Sequence, residues 1–187
     1  PYNGGTHLPD LTVITPLFLK DDNFPSFYIA SRGHHADIGG ITPGSMPSSS
    51  DHIDQEGILI NGMQIISKGT FLENEIHKIF IKDSNYPVRD FTLNLADIKA
   101  KVAANQIGLK KIIEVVKNYG KSFVLQYSKF IKINAANSVY ELIKTLDHGK
   151  FSCPMDNGSN ISVKITPGKN RNKLIINFDG TSKMTND

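Results

Sequence analysis

Two short stretches of this 187-residue chain combine side chains suited to holding a metal ion: His7-Leu8-Pro9-Asp10 and His34-His35-Ala36-Asp37. Each has the form His-x-x-Asp. Imidazole nitrogen and carboxylate oxygen are good donors to a borderline divalent ion, and a set of four or five of them without cysteine suits Mn, Fe or Zn. Either motif alone is weak, because a loop histidine bonded to a nearby aspartate is the commoner arrangement. The elements between them add weight. Leu11–Phe18 is a β-branched run, with Pro16 placing part of it at a sheet edge or bulge. Lys20-Asp21-Asp22-Asn23 is a polar connection, and Phe27–Ser31 reads as a second, antiparallel strand. The entry to the first strand and the exit from the second then lie at the same end of the sheet, so His7/Asp10 and His34/Asp37 should meet. Neighbouring side chains on an extended backbone point to opposite faces, so His34 and His35 should not both reach one ion.

Other candidates are thinner. Glu56, in Asp54-Gln55-Glu56-Gly57 just after a long irregular loop from Arg32 to Ser50, is a candidate general base. Gly4, Gly5, Gly33, Gly39 and Gly40 suit either close backbone approach to an anion or ordinary turns. His52, His77 and His148 have no convincing partner, and His148 near a helix C-terminus is explained by the helix dipole. Cys153 has no nearby histidine and reads as a small buried side chain.

Beyond the hairpin, Ile58–Ile66 reads as a strand interrupted by Asn61-Gly62, and Phe71–Ile81 as a short helix. Leu95, Ile98, Val102, Leu109, Ile112, Val115 and Val116 recur at mostly helical spacing up to a stop at Gly120. A second helix runs from about Ser122 to Leu146, and the short junction makes the two antiparallel neighbours whose apolar stripes are core. From Phe151 the pattern returns to strands, with Ile161–Ile165 and Leu174–Phe178 joined by a turn at Pro167-Gly168-Lys169-Asn170. Strands, helices, strands is an α+β order. The expected organisation is a strand and loop region at 1–68, a helical region at 69–149 and a strand region at 150–187, together an incomplete domain.

Composition bounds the function. The chain is 39% hydrophobic with a formal charge of +3, and its 21 Lys and Arg are scattered, which argues against a nucleic-acid surface. No apolar run approaches the ~20 residues that cross a bilayer. A single cysteine excludes an internal disulfide framework and suits a reducing cytoplasm.

Taken together, the motif-bearing stretches resemble the 5-oxoprolinase/hydantoinase B family. The resemblance rests on Gly4–Pro16, on Ala30-Ser31-Arg32-Gly33-His34-His35-Ala36-Asp37-Ile38-Gly39-Gly40 continuing to Pro47, on Asn94–Asn105, and on Phe178-Asp179-Gly180-Thr181-Ser182. It spans essentially the whole chain, and its second signature is long and specific, closest in wording to 5-oxoprolinases. It implies an ATP-dependent hydrolase that opens the cyclic amide 5-oxo-L-proline to L-glutamate. It implies a divalent metal (Mn, Zn or Fe) on His7, Asp10 and His34, with His35 and Asp37 in orienting roles. ATP and Mg belong, by the same resemblance, to a hydantoinase A-like part, since this chain has no phosphate-cradling Gly-rich loop with a lysine. The expectation is therefore an internal piece of an enzyme, inactive alone, that works as an oligomer once complete. The alternatives are an N-methylhydantoinase or carboxylase subunit, and a non-catalytic remnant.

Overall fold

The structure, a computed structural model, describes residues 7–20 and 22–183. The expected turn at 1–6, with Gly4 and Gly5, lies outside them. The chain divides into two compact units, one up to Glu114 and one from Val115 onward, and the cut falls inside a long helix.

In the first unit, β1 (Asp10–Leu17) and β2 (Phe27–His34) form an antiparallel hairpin, with Asp10 opposite His34 and Leu17 opposite Phe27. The His35 N–H donates to the Pro9 carbonyl, which makes 9/35 a hydrogen-bonded pair. The pairing alternates along the ladder, so Asp10/His34 and Pro16/Tyr28 are non-hydrogen-bonded pairs. Pro16, which has no N–H to give, therefore costs the ladder nothing. Odd-numbered strand residues face the protein interior: Val13 and Leu17 are buried, while Ile14 and Tyr28 on the opposite face are exposed.

The interior face packs on α3 (Phe91–Tyr119), which starts where Asp90 Oδ1 accepts the Leu93 N–H. Asn105 Nδ2 of this helix donates to the carbonyls of Val13 and Ile29 and to Thr15 Oγ1, tying both strands to one side chain. Between hairpin and helix run α1 (Ile53–Glu56), a two-residue pair β3 (Ile66–Ser67) and β4 (Thr70–Phe71), and α2 (Glu73–His77), which continues as a π-helical turn at Lys78–Lys82. The core is Ile58, Ile76, Phe80, Val88, Leu95 and Ile98. Only Ile66 of the expected 58–66 strand is in a ladder; Ile58, Ile60, Met63 and Ile65 give their side chains to the core instead, and among the described residues no second strand pairs with them.

The second unit holds α4 (Lys121–Thr145) and the antiparallel sheet β5 (Gly149–Pro154), β6 (Asn160–Pro167) and β7 (Leu174–Asn177). Segment 178–182 fastens to β6 through Thr181 Oγ1, which accepts from the Ser162 N–H and donates to the Ser162 carbonyl. Arg171 donates to the Lys144 and Leu146 carbonyls, satisfying the open end of α4. Apart from the 58–66 strand, the expected helices and strands are present, in an α+β order. Two expectations of burial fail. The apolar stripe of α4 is not core: Phe123, Tyr127, Phe130, Ile131 and Leu142 are exposed, and only Val124 and Ile143 are buried hydrophobics in that helix. Helical periodicity marks a face that is apolar, not a face that is covered. Cys153 is likewise exposed, not buried.

Candidate metal centre

The hairpin does what its register dictates. In a non-hydrogen-bonded pair the two side chains stand on one face at their closest approach, and Asp10 Oδ1 lies 3.2 Å from His34 Nδ1. His7 reaches the same spot from the segment before β1, held where the Asp10 N–H donates to the His7 carbonyl. Its ring stacks on His34 with centroids 5.1 Å apart and planes 12° from parallel. One donor atom from each of His7, Asp10 and His34 lies within 4.8 Å of the other two.

These donors suit a divalent ion. Two ligands bonded at about 2.1 Å in a tetrahedral arrangement sit about 3.4 Å apart. The Asp10–His34 separation already matches, and the widest spacing needs side-chain closure of little more than an ångström. Two imidazoles and one carboxylate would give an ion three ligands and leave a further position open, as in catalytic sites more than in structural ones. The His34 side chain is 56% exposed, so an ion has a route in.

Arg32 completes the cluster. It lies two residues before His34 on the same face, and its Nε and Nη2 approach Asp10 Oδ2 at 3.3 and 2.9 Å. This bonding holds the Asp10 carboxyl below the usual carboxylate range, assisted by the His34 bond and the nearby charges of Arg32 and His7. One oxygen of Asp10 is thus occupied, and the other is left to the histidines. An apolar groove of about 800 Å³ shares His7 and Asp10 with this cluster and runs along β1, walled by segment 58–66 and by Ile76, Phe80 and Ile98.

His35 points the other way, as strand alternation requires. It is fully buried, with Nδ1 2.6 Å from Asn94 Oδ1 and Nε2 bonded to Lys101 Nζ. Burial, together with the Lys101 charge and against the Asn94 bond, pushes its pKa down. His35 touches none of the three donors directly. Asp37 departs further from its expected orienting role. Its carboxylate accepts from the N–H groups of Gly39, Gly44 and Arg89 and from the Arg89 guanidinium at 2.6 Å, and so organises the loop after β2. Burial alone would raise this carboxyl, but these donors together hold it below its usual range. Only one of the two expected aspartates therefore joins the histidines, because Asp37 lies beyond the end of β2, where the register no longer governs it. Glu56 is not in the cluster either: it is exposed and accepts from Ser50 Oγ at 2.9 Å, which gives it no placement as a base.

The glycines resolve toward packing. Gly39 and Gly40 have φ near +90°, and an added Cβ would sit 2.1 Å from the Tyr86 carbonyl oxygen and 2.6 Å from that of Gln55. Their free side is filled with backbone, not open to an anion. His52 does have a partner, Asp54, and His77 stands edge-on to Phe91.

Sequence reasoning passed over Arg32, Asn94, Lys101 and Arg89. A signal for two of them existed: Asn94 and Lys101 share the helical face of Ile98 and, like it, are buried. Polar residues inside an apolar stripe are informative because they need partners.

Known proteins resemble this chain along its whole length. The family described as Hydantoinase B/oxoprolinase matches residues 1–187. A 5-oxoprolinase of Saccharomyces cerevisiae is 42% identical over 97% of this chain and 15% of its own length. A 5-oxoprolinase of Dictyostelium discoideum is 39% identical over 97% of this chain and 14% of its own. The chain thus spans about 15% of the length of such relatives. Among solved structures, the ATP-dependent caprolactamase from Pseudomonas jessenii superposes with a TM-score of 0.74 at 21% identity, covering 92% of this chain and 30% of that one, a likeness of fold. No helix among the described residues is long and apolar enough to cross a membrane. With the family's match running the full length of the sequence, the chain belongs to the hydantoinase B/oxoprolinase family.

Proposed function

We propose that this chain is the metal-binding portion of an ATP-coupled cyclic-amide hydrolase whose substrate is 5-oxo-L-proline. The observation that carries the reading is the convergence of His7, Asp10 and His34 on one point of an exposed sheet face. The substrate comes from relatives named 5-oxoprolinase at about 40% identity. In this reading His7, Asp10 and His34 hold a divalent ion (Mn, Zn or Fe), and Arg32 keeps Asp10 ionised and turned so that one oxygen faces the ion. Such an ion supplies Lewis-acid polarisation of a carbonyl or phosphoryl oxygen. ATP and its Mg²⁺ are assigned to a hydantoinase A-like part, because these 187 residues hold no phosphate-cradling Gly-rich loop with a lysine, and turnover requires that part. A hydantoin is the alternative substrate class, motivated by 26% identity to a Pseudomonas protein named as a D-/L-hydantoinase component.

Elemental analysis of the purified chain tests the metal. Wild type should carry close to one equivalent of a divalent transition metal, and His7→Ala and His34→Ala should lose it while His52→Ala keeps it. Equal metal in all four would remove the centre. Assay of a longer, ATPase-containing form with 5-oxoproline against hydantoin decides the substrate.

A further inference from the structure

We propose that Lys101 of α3 is a positioning residue for the His7–Asp10–His34 centre, clamping β2 from behind so that His34, and not His35, faces the ion; the inference rests on the metal reading above. Lys101 is only 8% exposed, and its ammonium donates to two acceptors, the Gly33 carbonyl at 3.1 Å and His35 Nε2. Residues 33 and 35 flank His34 on the opposite face of the strand. Gly33 leaves room for the lysine's tail, since a Cβ there would stand 2.8 Å from Lys101 Cε and the tail would have to shift.

The hydrogen bonds fix each partner's role. Asn94 Nδ2 donates to the Asp37 and Asp90 carbonyls, which leaves its Oδ1 as the acceptor for His35 Nδ1. His35 therefore carries its proton on Nδ1, and its Nε2 lone pair is free to accept from Lys101. Asn94 and Lys101, two helical turns apart on one face of α3, thus grip residues 33, 35 and 37 in succession. Strand side chains alternate, so a one-residue slip of β2 would swap the two histidines. The clamp bears on that register at the residue where it matters, because only the ring between the gripped positions reaches Asp10.

Cobalt binding tests this on the full chain, with Co²⁺ as the probe, its visible absorption as the readout and circular dichroism as the control for folding. His34→Ala should abolish the cobalt band. Lys101→Met should weaken Co²⁺ binding at least tenfold and shift the band. Ile98→Val, a core change used to match the loss of thermal stability, should leave affinity and band unaltered. Gly33→Ala, which crowds the lysine without removing it, should act like Lys101→Met, and it decides the matter if Lys101→Met does not fold. Wild-type cobalt affinity and spectrum in Lys101→Met and Gly33→Ala, with the band still lost in His34→Ala, would overturn the positioning role and leave the metal reading standing. The role is also overturned if Ile98→Val weakens cobalt as much as Lys101→Met. A wild type indistinguishable from His34→Ala would remove the metal reading and the inference together.

Discussion

Arg32 takes one oxygen of Asp10 and leaves the other to His34: its Nη2 lies 2.9 Å from Oδ2, while Oδ1 lies 3.2 Å from His34 Nδ1. A carboxylate held at one oxygen by a fork-shaped cation is fixed in both orientation and ionisation.

The first prediction concerns that fixation. Because the Arg32 bond is the largest influence lowering the Asp10 carboxyl, Arg32→Gln should move its titration upward, toward an ordinary aspartate. Side-chain carboxyl carbon NMR across an acid titration reads the midpoint directly. An unchanged midpoint would mean that Arg32 is a spectator.

The loop after β2 should be acid-sensitive through Asp37. A carboxyl whose folded pKa lies below its unfolded value of about 3.9 contributes stability that is complete above that value and is lost as pH falls through the folded one. Burial pulls Asp37 upward, but its N–H and guanidinium donors outweigh that and hold it low, so unfolding free energy should fall in that window. Asp37→Asn should cost about 2 kcal/mol at neutral pH and flatten the acid limb. Urea melts at neutral pH and on the acid side of 4 measure both effects.

Gly39→Ala should be among the most damaging single-methyl additions. It forces an L-residue to a φ of +90° and puts a Cβ 2.1 Å from the Tyr86 carbonyl oxygen, so about 3 kcal/mol of destabilisation is expected from backbone strain and overpacking combined. Denaturant unfolding provides the check; a cost below about 1 kcal/mol would show that the backbone yields.

On α4 the expectation runs the other way. Tyr127 and Phe130 are 58% and 54% exposed, so Tyr127→Ser and Phe130→Ser should each change stability by no more than about 0.5 kcal/mol. Both should reduce binding of a hydrophobic dye, since they shrink an exposed apolar surface. A loss of several kcal/mol on thermal melting would show that these rings are buried in solution.

Legibility followed periodicity and register. The hairpin can be read because β-branched runs flank a polar connection, and antiparallel pairing then forces the two ends together. That geometry brings the two His-x-x-Asp stretches together and lets only one of His34 and His35 face the ion, while the choice of His7, Asp10 and His34 is what the family resemblance implies. Asp37 cannot be placed the same way: beyond His34 the chain leaves the ladder, and its carboxylate goes to Gly39, Gly44 and Arg89. Arg89 is 52 residues distant in sequence, a pairing that no local pattern encodes. Segment 58–66 reads as a strand because apolar residues in an extended stretch look alike whether they pair or simply fill a core. The exposure of α4 is not legible because amphipathicity says which face is apolar and nothing of what lies against it.

The most direct test of the metal centre is anomalous diffraction from crystals of the chain soaked in Mn²⁺ or Zn²⁺. A peak about 2.1 Å from donor atoms of His7, Asp10 and His34 together, with His35 still turned toward Lys101, is the predicted result. Fully loaded crystals in which the His7 and His34 rings remain stacked with no ion between them, or in which the ion sits elsewhere, would contradict it.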